Sequence, residues 1–335
     1  MSSLEQANEV YNKYGAYELM KRGISEGLRH LSAPYENLQT EDQWVGAKYY
    51  GNFAGFHNNF GGNLAETKCR TASGNPPQIE TTQESEELEA AMELRHNGYT
   101  KIGNIYDEDV IDEVVSRYNN IIENKEHTKS SHSNDPGDGN VYIRGIDSPQ
   151  EEYFPEAEQL VTEKVKNILR NYYRSHIQIR NLRAYRTHHI PPELMESKEV
   201  YNNHWHCDGK TSDHIKLFVC LGETTEEDGP LHIMPKKYTR EYAKRNASFD
   251  RETDGAPNNV VEEHGEPVKF TGVAGDVMLA NTQTCLHRAG VPDEGRSRDL
   301  VQLYIAPSSE PLPENWIDSE LEGADPNVWS RLLKY

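Results

Sequence analysis

Two side chains with metal-binding chemistry stand two residues apart in Asn203-His204-Trp205-His206-Cys207-Asp208-Gly209. A further imidazole follows in Cys285-Leu286-His287-Arg288. On an extended strand, residues i and i+2 face the same side, so His206 and Asp208 would share a face. His287, from a different strand, would complete the set. Two imidazoles and one carboxylate on one face of a metal leave the opposite face open, the arrangement of non-haem Fe(II) oxygenases.

The plain alternative is accident. With 14 His in 335 residues, a His-x-Asp triplet arises by chance about once. His264-Gly265-Glu266 has the same chemistry, but Glu262, Glu263, Gly265 and Pro267 around it read as a turn. The first motif differs in being followed closely by Ile215-Lys216-Leu217-Phe218-Val219-Cys220-Leu221, an apolar run that reads as a buried strand.

More of the chain falls into order around these residues. Asp228-Gly229-Pro230-Leu231-His232-Ile233-Met234-Pro235 lies between the two segments, Gly275-Asp276-Val277-Met278-Leu279-Ala280-Asn281 precedes His287, and Arg298 follows it by 11 residues (298 − 287). This ordered set resembles the phytanoyl-CoA dioxygenase family of Fe(II)/2-oxoglutarate oxygenases, over roughly residues 95 to 307 and most strongly from 200 to 306. The resemblance implies Fe(II) held by His206, Asp208 and His287, with 2-oxoglutarate and O2 as co-substrates. Asp208 is the carboxylate that related halogenases lack, so hydroxylation is expected over halogenation. Desaturation and oxidative ring closure stay open to the same ligand set.

The far carboxylate of 2-oxoglutarate calls for a planar, doubly donating cation, which Arg provides and Lys does not. Arg298 stands at the family spacing and opens the last strand; Arg296 is its rival, and the bland reading of either is a surface arginine near Asp293, Glu294 and Asp299. Many family members carry Ser two residues after the distal His, where this chain has Ala289. A replacement donor is expected from Thr284 or Tyr304. His204, Lys210, Arg183, Tyr185 and Arg288 are the remaining candidates for substrate contact, although His204 and His232 are more simply structural histidines. The substrate is expected to be a small polar or amino-acid-like metabolite and not a CoA ester, because no phosphate-binding basic run lies near these motifs. Two other classes compete: a metal-dependent cupin-type enzyme that does not use 2-oxoglutarate, and a non-catalytic jelly-roll binding protein.

The elements that must position these residues read as an α+β chain. Residues 86–96 and 108–124 read as helices around a strand at 98–102, and 149–173 as a second long helix. Short strands then follow at 177–186, through His206, at 215–221, 229–234, 268–270, 276–280 and 300–305. That pattern predicts a double-stranded β-helix (a cupin-like jelly roll) flanked by helices. Residues 236–246 read as an inserted helix whose lysines and arginines are most simply a solvated face, with a substrate-carboxylate site as the sharper alternative. The expected division is an N-terminal extension over 1–84, a catalytic domain over 85–310 and a tail over 311–335. Within the extension, 3–31 reads as helix. Residues 33–82, rich in Gly and Asn, read either as a lid or homodimerisation element or, more simply, as a cover on the barrel.

Composition bounds the partners. The net charge of −20 repels phosphate backbones and anionic membrane surfaces, so nucleic acid and membrane are poor partners and a small-molecule substrate is expected. The four cysteines, Cys69, Cys207, Cys220 and Cys285, fit neither a zinc ribbon nor a secreted disulfide framework. Free thiols, the absence of a basic n-region and apolar h-region at Met1-Ser2-Ser3-Leu4, and the lack of a long apolar run together suggest a cytoplasmic protein.

Overall fold

The computed structural model describes residues 85–130, 141–147, 150–197, 199–208, 214–239, 263, 265–308 and 311–318. The expectations for 3–31 and 33–82 lie outside them, as do residues 319–335 of the tail and most of the inserted helix, of which residues 236–239 are helical.

The first helix among the described residues, α1 (Glu86–Asn97), is bounded by local chemistry. The Ser85 hydroxyl accepts from the Leu88 N–H, acidic residues fill the first turn, and Arg95 and His96 lie in the last. Gly98 ends it at φ 83°, donating to the Leu94 carbonyl; a Cβ there would meet the Cys285 sulfur. Strand β1 (Tyr99–Asn104) follows, and then α2 (Glu108–Asn124), which buries Ile111, Val114, Tyr118, Ile121 and Ile122 along one stripe. Strands β2 (Thr128–Ser130) and β3 (Ile143–Ile146) come next.

The second long helix expected over 149–173 is broken into three pieces. A short helix α3 (Gln150–Tyr153) gives way to a 3-10 turn at Pro155–Leu160, and α4 (Glu163–Tyr173) starts afresh. Pro155 has no N–H to continue the ladder, and the Thr162 side chain caps the new helix by accepting from Val165 N.

The remaining described residues are rich in strand: β4 (His176–His188), a short α5 (Pro192–Ser197), β5 (Ile215–Cys220), β6 (Leu231–Ile233), β7 (Val268–Phe270), β8 (Asp276–Ala280), β9 (His287–Ala289) and β10 (Ser297–Ser308). They form a seven-stranded sheet in the order β1-β8-β5-β10-β4-β3-β2 and a three-stranded sheet in the order β7-β6-β9, all antiparallel. This is the jelly roll, with α1, α2 and α4 packed on one face of the large sheet.

Period-two alternation sorts each strand between two cores. Ile215, Leu217, Val219, Val301, Leu303 and Ile305 face the helices, where they meet Val165, Ile168 and Leu169. Phe218, Cys220, Met278 and Leu300 face the small sheet and pack on Leu231, Ile233 and Phe270. Strand β5 is therefore buried on both faces.

Tyr173 stitches α4 to both central strands. Its hydroxyl donates to the Ile305 carbonyl and accepts from the Ile215 N–H, each at 2.9 Å. At the other end of β10, Arg186 forks onto both oxygens of Asp299 at 2.7 and 2.8 Å on the helix side. Trp316 docks back on the helical layer, its indole N–H donating to the Glu158 carbonyl.

Tyr173→Phe leaves the buried Ile215 N–H without its acceptor. Unfolding in urea should show a loss of about 1–3 kcal/mol with an unchanged m value.

Candidate active site

His206 does not lie in a strand, contrary to the expectation from its sequence. It forms an isolated antiparallel bridge with His287: His206 N–H donates to the His287 carbonyl at 3.0 Å, and His287 N–H returns the bond at 2.9 Å. Asn202, at φ 61°, and the Asn203 side chain, which accepts from Val200 N–H, turn the chain just before it. Two residues on, Asp208 N–H donates to the Thr282 carbonyl at 2.9 Å. The segment is thus hung between the start of β9 and the turn after β8.

This hanging brings three side chains to one point. His206, Asp208 and His287 each present a ligand atom within 4.8 Å of one another. His206 Nε2 lies 3.8 Å from Asp208 Oδ1, and His287 Nε2 lies 3.8 Å from Asp208 Oδ2. Each ring is turned by its other nitrogen: His206 Nδ1 faces the His204 carbonyl at 2.8 Å, and His287 Nδ1 faces the Cys285 carbonyl at 3.1 Å. A carbonyl accepts only, so Nδ1 carries the proton and Nε2 offers a lone pair towards the common point. Two buried neutral imidazoles and a half-buried carboxylate, oriented from behind, fit a divalent metal.

Asp208 is held by two more groups. Lys216 Nζ lies 2.6 Å and the Thr282 hydroxyl 2.5 Å from Oδ2. Burial favours the neutral forms of both Asp208 and Lys216. Their attraction overrides it, holding the carboxyl well below and the ammonium above the usual ranges. Lys216 also lies 4.6 Å from the centre of the Tyr304 ring.

From this point a polar row runs along the inner face of the large sheet. Cross-strand pairing sets Lys216 beside Tyr304, Gln302 beside Arg183 and Phe218, Leu300 beside Tyr185, and Arg298 beside Thr187. Tyr185 donates to Gln302 Oε1 at 3.2 Å, and burial pushes its hydroxyl up against the lowering charges of Arg298 and Lys216. Arg298 is 2% exposed. One of its terminal nitrogens donates to the Gly229 carbonyl, and its Nε has no hydrogen-bond partner among the described residues. A buried guanidinium with an unused donor suits an anionic ligand. Arg296, by contrast, turns to Asp228 at 2.9 Å with 44% of its side chain exposed.

The other candidates are dispersed. The exposed Arg183 guanidinium lies 5.8 Å from the Tyr304 ring centre, on the inner face. The Thr284 hydroxyl is used within its own turn, 3.5 Å from the Asn281 carbonyl. His204 Nε2 lies 3.2 Å from the Met195 carbonyl. Arg288 points the other way along β9 from His287: it donates to His232 Nδ1 at 3.2 Å and lies 5.0 Å from the Trp205 ring centre. Cys285 Sγ lies 3.6 Å from the Asn97 carbonyl. Lys210 lies outside the described residues. Lys216 and Thr282 were not foreseen; the signal available for Lys216 was a charge inside an apolar run.

A family model described as Phytanoyl-CoA dioxygenase (PhyH) matches residues 94–292. No curated protein matches the sequence. Among solved structures, EctD from S. alaskensis with 2-oxoglutarate and 5-hydroxyectoine is similar at a TM-score of 0.51 and 14% identity, covering 75% of this chain and 90% of that one. The non-heme alpha ketoglutarate dependent epimerase SnoN from nogalamycin biosynthesis is similar at 0.50 and 14%, covering 72% and 92%. The carbocyclase SnoK from the same biosynthesis is similar at 0.50 and 14%, covering 70% and 87%. These likenesses are of fold.

Removing Asp208 strands a buried ammonium, so Asp208→Ala should destabilise the metal-free protein by about 3–5 kcal/mol in urea unfolding. His232 gives a pH signature. Burial, and then the charge of Arg288, push its imidazole down to about 4 from 6.5. Below pH 6.5 the unfolded chain takes up a proton that the folded chain refuses, so this contribution to stability is lost as pH falls towards 4. His232→Asn should flatten that part of the stability profile relative to the unsubstituted protein.

Proposed function

Because the chain belongs to the phytanoyl-CoA dioxygenase family, and is therefore an Fe(II)- and 2-oxoglutarate-dependent oxidoreductase, we propose that it hydroxylates an aliphatic carbon of a small polar metabolite. Succinate and CO2 are the co-products. The observation that carries this reading is the convergence of His206, Asp208 and His287, with a buried Arg298 that has an unused donor on the inner face of the large sheet.

In this reading His206, Asp208 and His287 hold the iron on one face. Bound together with O2, iron and 2-oxoglutarate would supply an oxidant able to take hydrogen from an unactivated carbon. The chain's own residues set where and on what. Arg298 takes the far carboxylate of 2-oxoglutarate, with Tyr185 and Gln302 lining the face between it and the ligands. Phe218, Met278 and Leu300 keep the interior dry behind them. Arg183, exposed on the same face and set over Tyr304, supports a substrate with a polar or acidic group. No described phosphate-binding cluster on this face supports a CoA ester instead.

The test is an anaerobic titration of metal-free protein with Fe(II) and then 2-oxoglutarate, followed by visible absorption. A weak charge-transfer band should form, vanish in His206→Ala, and require about tenfold or more 2-oxoglutarate in Arg298→Met, as expected for loss of a charged hydrogen-bond pair. Iron binding without a band, or a band indifferent to Arg298, would overturn the assignment.

A further inference from the structure

Lys216 is the only charged residue of β5, a strand buried along its whole length. Burying an ammonium costs several kcal/mol unless a partner is built for it. Lys216 is 5% exposed, and its neighbours Ile215 and Leu217 belong to the core beneath the helices, whereas its own side chain shares the inner face with Phe218 and Cys220. Its Nζ meets Asp208 Oδ2 at 2.6 Å, and the Thr282 hydroxyl meets the same oxygen at 2.5 Å.

Those two donors use both lone pairs of Oδ2. Oδ1 makes no hydrogen bond among the described residues; it lies 3.8 Å from His206 Nε2, as Oδ2 lies 3.8 Å from His287 Nε2. Both oxygens thus border the metal point, but one already holds two donors and the other holds none.

We propose that Lys216, assisted by Thr282, is a positioning residue that keeps Asp208 a one-oxygen metal ligand and so reserves a coordination position for the 2-oxo acid. The proposal rests on the Fe(II)/2-oxoglutarate reading above. It has a two-sided consequence. Lys216 places a positive charge beside a cation site and withholds one oxygen from it, both of which weaken metal binding. Its removal frees Oδ2 to occupy the position that 2-oxoglutarate needs and takes a cation away from a dianionic ligand, both of which weaken 2-oxoglutarate binding. A residue with only a structural role would not move the two affinities in opposite directions.

The experiment uses the full chain, metal-free, under anaerobic conditions. Fe(II) affinity is read by competition with a chelating dye, and 2-oxoglutarate affinity by the visible band of the Fe(II)-loaded protein. Lys216→Met keeps the length and removes the charge. It should bind Fe(II) about tenfold tighter and 2-oxoglutarate about tenfold weaker. Thr282→Val, which changes no charge, should leave Fe(II) affinity within about twofold and weaken 2-oxoglutarate about threefold.

If Lys216→Met leaves both affinities unchanged or weakens Fe(II), the proposal is overturned. Should that variant fail to fold, Thr282→Val decides: an unaltered 2-oxoglutarate affinity overturns it. A band in the unsubstituted protein together with an indifferent Lys216→Met sinks this assignment alone. Absence of the band in the unsubstituted protein sinks the parent reading and this one with it.

Discussion

The site depends on two backbone hydrogen bonds. Residues 206 and 287 are far apart in the chain, and each gives its N–H to the other's carbonyl. That exchange fixes the spacing of the two imidazoles, whose ring centres lie 4.3 Å apart. It also fixes Asp208, because the same segment bonds next to the Thr282 carbonyl. The ligand geometry is therefore a property of the sheet edge, and the side chains need only be of the right type. Second contacts, from the carbonyls of His204 and Cys285, then choose which nitrogen carries the proton.

Charge is the second constraint. A chain of net charge −20 keeps Arg298 and Lys216 on the inner face of a sheet and pairs Lys216 with the central carboxylate. Such burial is tolerable because each cation is used. Lys216 has Asp208 and the Tyr304 ring, and Arg298 has the Gly229 carbonyl. Gly229, in turn, adopts φ 64° and packs where a Cβ would meet the backbone of Gly290, Val291 and Pro292, so the turn can come close enough to present that carbonyl. On the opposite face, Arg186 and Asp299 pair with the helices' side and hold the start of β10 so that Arg298 turns inward.

Much of the fold was legible because burial leaves a strong signature, on both faces of β5 and along one stripe of α2. The run at 215–221, the strands at 268–270 and 276–280 and the amphipathic stripe of 108–124 all appear in the structure within a residue or so. The failures are local and have local causes. Helical periodicity persisted through 149–173, but Pro155 removes a donor that periodicity does not register. His206 lies on a turn-borne bridge too short to show alternation. Lys216 was hidden because averaging over an apolar run treats a single charge as noise.

The sequence by itself determined the chemical inventory and its order: His206, Asp208, His287 and Arg298, with the intervening strands, at spacings that the family resemblance makes specific. Side-chain type and spacing along the chain are local quantities, and local quantities can be read from a string. Only the tertiary structure decided which residues share the site. It turned Arg288 towards His232 and Trp205, used the Thr284 hydroxyl in a turn, separated Arg296 from Arg298, and brought Lys216 and Thr282 onto one oxygen of Asp208. Those outcomes follow from cross-strand register between segments distant in sequence, where a shift of one residue reverses every side chain.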